Sequence, residues 1–578
     1  MTKSPPSRRK PGPAVAQARA VNPLSHRSGK SPIQVLAEKW VPAFAGTTVI
    51  FMLAGCTVGP DYQRPTAPIS AVYKEAGWQL ARPADAMDRG AWWSVYHDPV
   101  LDGLERQIDI SNQNLRSALA RFRQAEAIVT QARASFFPTE QISASASRSR
   151  GGGGGGSAGN LTTTSNTNNA NSTSSGNNST STNSGAVRVS TGSARGGGGS
   201  ISSFFSLTES ASWVPDLWGR VERTVEGDVA SAQASAGDVA SARLAAQAQL
   251  ASDYMQLRIA DELKRLLTRS AAAYRESLRI SQNQYSAGIV AASDVAQART
   301  QLESTQAQAV AVGVLRSQLE HAIAALTGRP PAELSIAAVE TVPPLPDVPA
   351  GLPSELLERR PDIAAAERRM AAANAQIGVA ETAFFPTITL SADSGVASTM
   401  LASLFSASSR VWSFGSNLAQ IAFDAGSRHA TVEQNRAAFE GTVADYRQAV
   451  LTGLQQVEDQ LAALRILAEQ AAAQEIAVTS AQEAERIIFN QYKAGTVPFT
   501  NVVVAQTAAL ANAQTAVNIR QSRLLASVAL IQGLGGGWDT SRIPSREQVE
   551  TDIPLNFSPF APPDAEPRPA LDWLPKLW

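Results

Sequence analysis

The sequence predicts a mixed α+β membrane protein, a duplicated strand and long-helix unit whose strands and helices close only when copies associate. Three observations carry this. First, the chain repeats itself. Phe136-Phe137-Pro138-Thr139 returns as Phe384-Phe385-Pro386-Thr387, and Asp216-Leu217-Trp218-Gly219-Arg220 returns loosely as Asp424-Ala425-Gly426-Ser427-Arg428. Asn283-Gln284-Tyr285-Ser286-Ala287-Gly288 returns as Asn490-Gln491-Tyr492-Lys493-Ala494-Gly495. Second, each copy holds one very long proline-free, alanine-rich stretch, from Arg220 to Tyr285 and from Ser427 to Ala494. Third, each copy places a pair of short alternating segments ahead of that stretch. A repeat of this kind points to architecture built from copies, not to a catalytic domain with accessories.

The ends come first in chain order. Residues 1–55 read as an export leader, with Arg8, Arg9, Lys10, Arg19, Arg27, Lys30 and Lys39 ahead of the uncharged stretch Trp40 to Gly55. That stretch is too short to span a bilayer. The leader is longer and richer in proline than such signals usually are, so the true start is expected downstream of Met1. Cys56 is the single cysteine, which rules out an intramolecular disulfide. Leu53-Ala54-Gly55-Cys56 resembles a bacterial lipobox, in which the thiol is diacylated and the cysteine becomes the new N-terminus; the plain alternative is a small buried hydrophobe. Residues 56–98 are then a lipidated, extended segment rich in Pro, Gly and Ala.

Residues 99–330 form the first repeat. Pro99 to Ser135 lacks breakers and is rich in Ala, Gln, Arg and Glu, a helix ended by the proline of Phe-Phe-Pro-Thr. Gln141–Arg148 and Ile201–Val214 are strand candidates, a hairpin joined by the Gly/Ser/Asn/Thr tract Gly151–Ser200. That tract has too little apolar content to pack and reads as a solvated loop. Its six consecutive glycines are no phosphate loop, because no Lys-Ser/Thr follows. On the first long helix Leu257, Ala260, Leu267, Ala271, Tyr274, Leu278, Ser281 and Tyr285 fall on alternating three- and four-residue steps, a heptad seam. Ser286-Ala287-Gly288 breaks it, and a second helix runs from Ser293 to Leu326. Residues 331–353 are a Pro-rich linker. The second repeat, residues 354–540, follows the same plan: helix Arg360–Ala383, strand candidates Ile388–Asp393 and Val411–Phe423, long helix Ser427–Ala494, and a last helix ending at Gly533-Leu534-Gly535-Gly536-Gly537. Val450, Leu454, Val457, Leu461, Leu464, Ala468 and Ala471 repeat the seam. Residues 541–578 are a Pro-rich tail, either pinned or disordered.

Lys+Arg and Asp+Glu both number 50, so the chain carries no electrostatic footprint for nucleic acid. His26, His97, His321 and His429 are scattered, none at metal-ligand spacing. There is no metal cluster and no nucleotide loop, so an enzyme is not expected, and no cofactor beyond a covalent lipid at Cys56. Past the leader no run of about 18 apolar residues occurs, so any membrane crossing is expected by β-strands. Four strands cannot close a membrane barrel, which needs at least eight. Pooling strands and helices from several copies resolves this.

Several ordered motifs carry a family resemblance. They are Cys56-Thr57-Val58-Gly59-Pro60-Asp61-Tyr62 with Arg64-Pro65, Trp92-Trp93, Leu357-Glu358-Arg359-Arg360-Pro361-Asp362, Ala372-Ala373-Asn374-Ala375-Gln376-Ile377-Gly378, Phe384-Phe385-Pro386-Thr387 and Leu534-Gly535-Gly536-Gly537-Trp538. Over residues 56–540 the chain resembles the TolC-type outer-membrane efflux proteins, in the lipoprotein branch serving resistance-nodulation-division pumps. The resemblance implies a homotrimer with a twelve-stranded outer-membrane β-barrel continuous with a periplasmic α-helical coiled-coil barrel. It implies a periplasmic adaptor and an inner-membrane RND transporter as partners, outer-membrane lipid as surroundings, and passive export of drugs or other small molecules. Thr57 after the cysteine fits outer-membrane sorting. The gate would lie at the two Tyr-x-x-Gly tips, Tyr285–Gly288 and Tyr492–Gly495. Relatives carry an acidic residue six or nine positions past the glycine; this chain has Asp294 and Gln297 in the first copy, but Asn501 and Val504 in the second. An arginine before the second tyrosine is replaced by Gln491. The gate is thus expected to be less acidic, with Asp294 either a gate residue or only a cap or first-turn residue beside Ser293. The competing reading is a trimeric coiled-coil surface lipoprotein with a structural or adhesive role. Such a stalk has no need of paired strands at equivalent places in both halves.

Overall fold

The computed structural model describes residues 57–68, 73–74, 91–150, 201–339, 341–346, 348 and 356–550. The leader, Cys56, the tract 151–200 and residues 551–578 lie outside the described residues. The first repeat supplies α1 (Pro99–Ser111), α2 (Gln113–Ala134), β1 (Thr139–Arg150), β2 (Ile201–Trp213), α3 (Arg220–Ser286) and α4 (Ala292–Leu326). After the short α5 (Leu356–Arg359), the second supplies α6 (Pro361–Thr382), β3 (Thr387–Ser398), β4 (Arg410–Ala419), α7 (Ser427–Lys493) and α8 (Phe499–Gly533). A last turn, α9 (Arg546–Val549), follows.

Alanine-rich sequence without proline lets α3 and α7 run 67 residues each, about 100 Å at ~1.5 Å per residue. Both start from the same device. Asp216 Oδ2 accepts the Glu222 N–H at 2.9 Å, and Asp424 Oδ2 accepts that of Arg428 at 3.0 Å, so the repeated aspartate pins the turn from strand to helix. The Arg428 guanidinium holds the Asp424 carboxyl down, to about 2. The helix expected over Pro99–Ser135 is instead two. Asn112 breaks it in extended conformation, accepting the Leu115 N–H at 3.0 Å while its amide donates to the Leu326 carbonyl at 2.8 Å. A contact with α4 decides this, and local sequence does not show it.

All four strands join one antiparallel sheet in the order β1-β2-β3-β4, leaving β1 and β4 as free edges. β1 and β3 are longer than the sequence pattern suggests, and β4 stops at Ala419, short of Phe423. Below the sheet, α3 packs along α2, α4, α6 and α8, and α7 packs along α6 and α8. The largest core cluster lies midway down, where Trp92, Trp93 and Tyr96 insert against Leu250, Tyr254 and Leu257 of α3 and Leu524, Val528 and Ile531 of α8. Tyr254 donates to Asp98 at 2.7 Å and accepts from Arg258 at 2.8 Å, so its buried hydroxyl is satisfied.

Burial is uneven between the repeats. α3 is buried along most of its length, whereas α7 buries only Val432, Tyr446, Val450, Gly453, Val457 and Tyr492. Ile466 and Ile476 of α7 stay exposed, as do Val310 and Val314 of α4. Seam residues Ala468 and Tyr285 are exposed too. By length and composition α4 is apolar enough to cross a membrane, which counting consecutive apolar residues did not reveal. It pairs lengthwise with α3, and its apolar outer face belongs with the other uncovered faces of the helical body.

Candidate functional site

Strand register sorts the sheet into two unlike faces. On one lie Ile142, Phe205, Leu207, Leu390, Trp412, Phe414 and Leu418. Trp412 and Phe414 on this face are 80% and 74% exposed. The other face is a ladder of hydroxyls: Ser143 meets Thr208 at 2.9 Å, Ser145 meets Ser206 at 2.8 Å, and Ser149 meets Ser202 at 3.0 Å. Ser413 donates to Asp393 at 2.9 Å on that same face. An apolar outer wall and a polar inner wall are what a strand barrel in lipid around water requires.

The segment after Cys56 is strapped to the junction of sheet and helices. Val58 donates its N–H to the Trp218 carbonyl at 3.1 Å. Buried Arg223 reaches the carbonyls of Val58 and Gly59, both at 3.1 Å, and the Asp61 carboxylate at 2.9 Å. Asn374 donates to the Pro60 carbonyl, and Tyr62 to Glu367 at 2.7 Å. Gly59 lies against Gly378 so closely that a Cβ on Gly59 would overlap the Gly378 backbone, and a Cβ on Gly378 would crowd the Arg223 side chain and the Val58 carbonyl. Thr57 packs on Gly219, so the chain enters the described residues beside the end of β2.

The two tips share one backbone solution. Ile289 N–H donates to the Gln284 carbonyl at 2.9 Å, and Thr496 N–H to that of Gln491 at 3.0 Å, closing each helix over a glycine in the left-handed region. Gly288 has φ 74° and Gly495 φ 73°. Their tyrosines part company. Tyr285 is 52% exposed, whereas Tyr492 is 2% exposed. Tyr492 shares a hydrogen bond of 2.9 Å with Ser281 Oγ of α3 and meets the Phe499 ring edge-on at 5.2 Å, inside a cluster with Ala298 and Val502. Burial raises its hydroxyl pKa above the usual tyrosine range, and the nearby Asp294 carboxylate adds to the rise. Asp294 sits in the first turn of α4 but caps nothing, since the N-cap is Ala291 and no side chain serves it. Among the described residues its only side-chain hydrogen bond is a long one of 3.4 Å from Ser293. Asn501 is exposed in the first turn of α8, and Val504 is 65% exposed. The fold therefore brings Tyr492 and Asp294 together and leaves Tyr285 and Asn501 on the surface.

A family model described as outer membrane efflux protein matches residues 105–329 and 352–536, most of the chain. The chain belongs to the outer membrane efflux protein family. This efflux protein is 30% identical over 509 residues to the toluene efflux pump outer membrane protein TtgC of Pseudomonas putida, covering 87% of this chain and 97% of that one. It is 31% identical over 493 residues to the pyoverdine export outer membrane protein OpmQ of Pseudomonas aeruginosa, covering 84% and 95%. Among solved structures it superposes on the outer-membrane channel OprN with TM-score 0.69 at 27% identity, covering 84% of this chain and all of that one. It is an outer-membrane efflux channel protein with a periplasmic helical tunnel. A stalk-like adhesin is not what these relatives are.

Sequence reasoning did not single out Arg223 or Phe499, and it placed Ser281 only on the heptad seam. Arg223 stands among the charged residues Arg220, Glu222 and Glu226 and carries no local signal, whereas Phe499 is an aromatic following a proline at a helix start. Arg360, quoted only within its motif, is 7% exposed and donates to Asp362, Gln456 and the Gly533 carbonyl. It joins the start of α6 to the ends of the second repeat.

Proposed function

We propose that three copies of this chain close one exit duct of a tripartite pump, anchored by a lipid on Cys56. The observation that carries this is a sheet of four strands with two free edges, standing on helices whose apolar outer faces stay uncovered in the single chain. Four strands per chain make a closed twelve-stranded barrel in a trimer, which removes both edges. The lower half of α7 and the outer face of α4 then become contacts between copies. The contact of Thr57 with Gly219 supports lipidation, because it holds residue 57 where the chain passes from β2 into α3, at the sheet end of the helical body.

At the far end the α3–α4 and α7–α8 tips meet a periplasmic adaptor, which links the duct to an inner-membrane RND transporter. The relatives' names mention cargoes as unlike as toluene and pyoverdine, which suits a passive duct whose pump does the selecting. The cargo here is drugs or other small molecules. The test is complementation of a strain lacking its own outer-membrane channel, combined with native mass measurement of the purified protein. Restored efflux with a trimeric mass is expected. A monomer or dimer, or a trimer that restores no efflux with any adaptor and pump pair encoded beside it, would overturn the reading.

A further inference from the structure

Among the described side chains, the outer, apolar face of the sheet carries two cations, one on each edge strand. Arg148 of β1 lies opposite Ser203, two residues beyond the Ala146–Phe205 pair and on the same face. Arg410 opens β4 opposite Val396, in the row of Leu207 and Ala144. Both are exposed, and neither has an ion pair or hydrogen bond among the described residues. Both lie toward the hairpin loops, away from the helices, which is the extracellular end. The carboxylates of this face, Glu140 and Glu209, lie nearer the periplasmic end.

An unpaired guanidinium on a lipid-facing wall is tolerated at the headgroup level and costly below it. The stagger of the sheet shows how the two meet. From the Arg410 row, β1 continues another six residues, to Arg150, before it ends. Closing a tilted barrel needs such a stagger, so β4 of one copy meets the upper end of β1 of the next. Arg410 and Arg148 then face outward on the two sides of one seam. This step rests on the trimeric closure proposed above.

We propose that each seam is a binding site for a phosphorylated glycolipid of the outer leaflet, with Arg148 of one copy and Arg410 of the next holding one phosphate. Guanidinium groups suit this because their planar donors match phosphate oxygens in pairs. The acyl chains of the same lipid lie down the apolar wall over Trp412 and Phe414, which continues below Arg410 on β4. Charge and apolar surface are thus arranged in the order that an outer-leaflet lipid presents them.

The full chain, purified and placed in nanodiscs, tests this. One set contains a bis-phosphorylated glucosamine-disaccharide lipid, a second the same lipid without phosphates, and a third inorganic phosphate alone. Native mass spectrometry counts the molecules retained per assembly. The parent should retain the phosphorylated lipid about tenfold better than the dephosphorylated one and retain no free phosphate. Arg148→Gln with Arg410→Gln should lose most of that preference, and Arg148→Lys with Arg410→Lys should keep part of it. A trimeric Gln variant that discriminates as well as the parent overturns the site, as does a parent that does not discriminate or that holds free phosphate equally well. Spectra without a trimer would instead fail the closure reading, and the seam with it.

Discussion

Tyr492→Phe tests whether the closed end is held by the bond this tyrosine makes to α3. The hydroxyl and Ser281 Oγ share a hydrogen bond of 2.9 Å, Tyr492 is 2% exposed and Ser281 is fully buried. Removing the phenol oxygen deletes the bond while the ring keeps its contact with Phe499. A buried hydrogen bond between neutral groups is worth about 1 kcal/mol net. The cost stays near that figure because the Ser281 hydroxyl can turn back to a carbonyl one turn earlier. Parting α7 from α3 at this level breaks the bond once per copy. Three copies opening together lose about 3 kcal/mol, which is roughly a hundredfold in the ratio of closed to open. Single-channel recording in planar bilayers should therefore show more frequent and longer openings. The double variant Tyr492→Phe with Ser281→Ala leaves no orphaned hydroxyl, so it should open no more readily than the single one. Unchanged opening frequency in the single variant, with an unchanged trimer melting temperature, would refute the idea that this bond latches the tip.

Cys56→Ser should abolish labelling by a palmitate analogue while efflux falls only partly, since the barrel itself inserts; surviving label would remove the lipobox reading. Deleting most of Gly151–Ser200, leaving a short turn between Arg150 and Ile201, should leave trimer mass and efflux near those of the parent, because long surface loops contribute little to stability. A lost trimer would show the tract to be structural. Asp294→Ala should change ion selectivity or cation block in the planar bilayer if three carboxylates gather at the tip; identical currents would leave it a first-turn residue only. Glu105 is fully buried, and its two oxygens have no hydrogen-bond partner among the described residues. Burial lifts its carboxyl well above the ordinary value of 4.5, and the Asp109 carboxylate adds to the rise. With the folded value above the unfolded one, the native state binds the proton more tightly. Its contribution is therefore intact below about pH 4.5 and is lost as pH climbs toward the raised value. Glu105→Gln should flatten that decline, melting higher than the parent at pH 8 and alike at pH 4, and two superimposable melting curves across pH would contradict it.

Most of the fold was legible because its signals are local and repeated. Proline-free, alanine-rich stretches become long helices even with an occasional interior glycine, and α3 and α7 start and stop within a residue or so of the expected bounds. The strands were legible as paired alternations, though their ends were not, since small residues such as Ala397 and Ser398 join β3 only through their partners Ser206 and Phe205. Asn112 shows the opposite limit: an asparagine tolerated inside a helix becomes a break because the Leu326 carbonyl waits for its amide. The site was less legible than the fold. Tyr285 and Tyr492 occupy equivalent places in nearly identical words of sequence, yet one faces outward and the other is sealed against Ser281 and Phe499. Only the packing of one hairpin on the other distinguishes them. Exposed Val504 and Ile476 likewise carry no meaning in a single chain until a neighbouring copy covers them.

The two long helices have equal counts, 67 residues in each, and so do the two that return, 35 in each. The assembly therefore carries matched callipers. Both hairpins must reach one plane for their tips to meet, and that plane sits about 100 Å below the strands, as ~1.5 Å per residue dictates. Shortening one helix by a heptad would keep its seam in phase but withdraw its tip by about 10 Å, leaving half of the ring out of level. Changes of reach can thus pass through evolution only in pairs, a heptad removed from or added to both arms of both hairpins. The adaptor proposed to dock on these tips would then meet a height set by residue counting, which sequence comparison between members of this family can read directly.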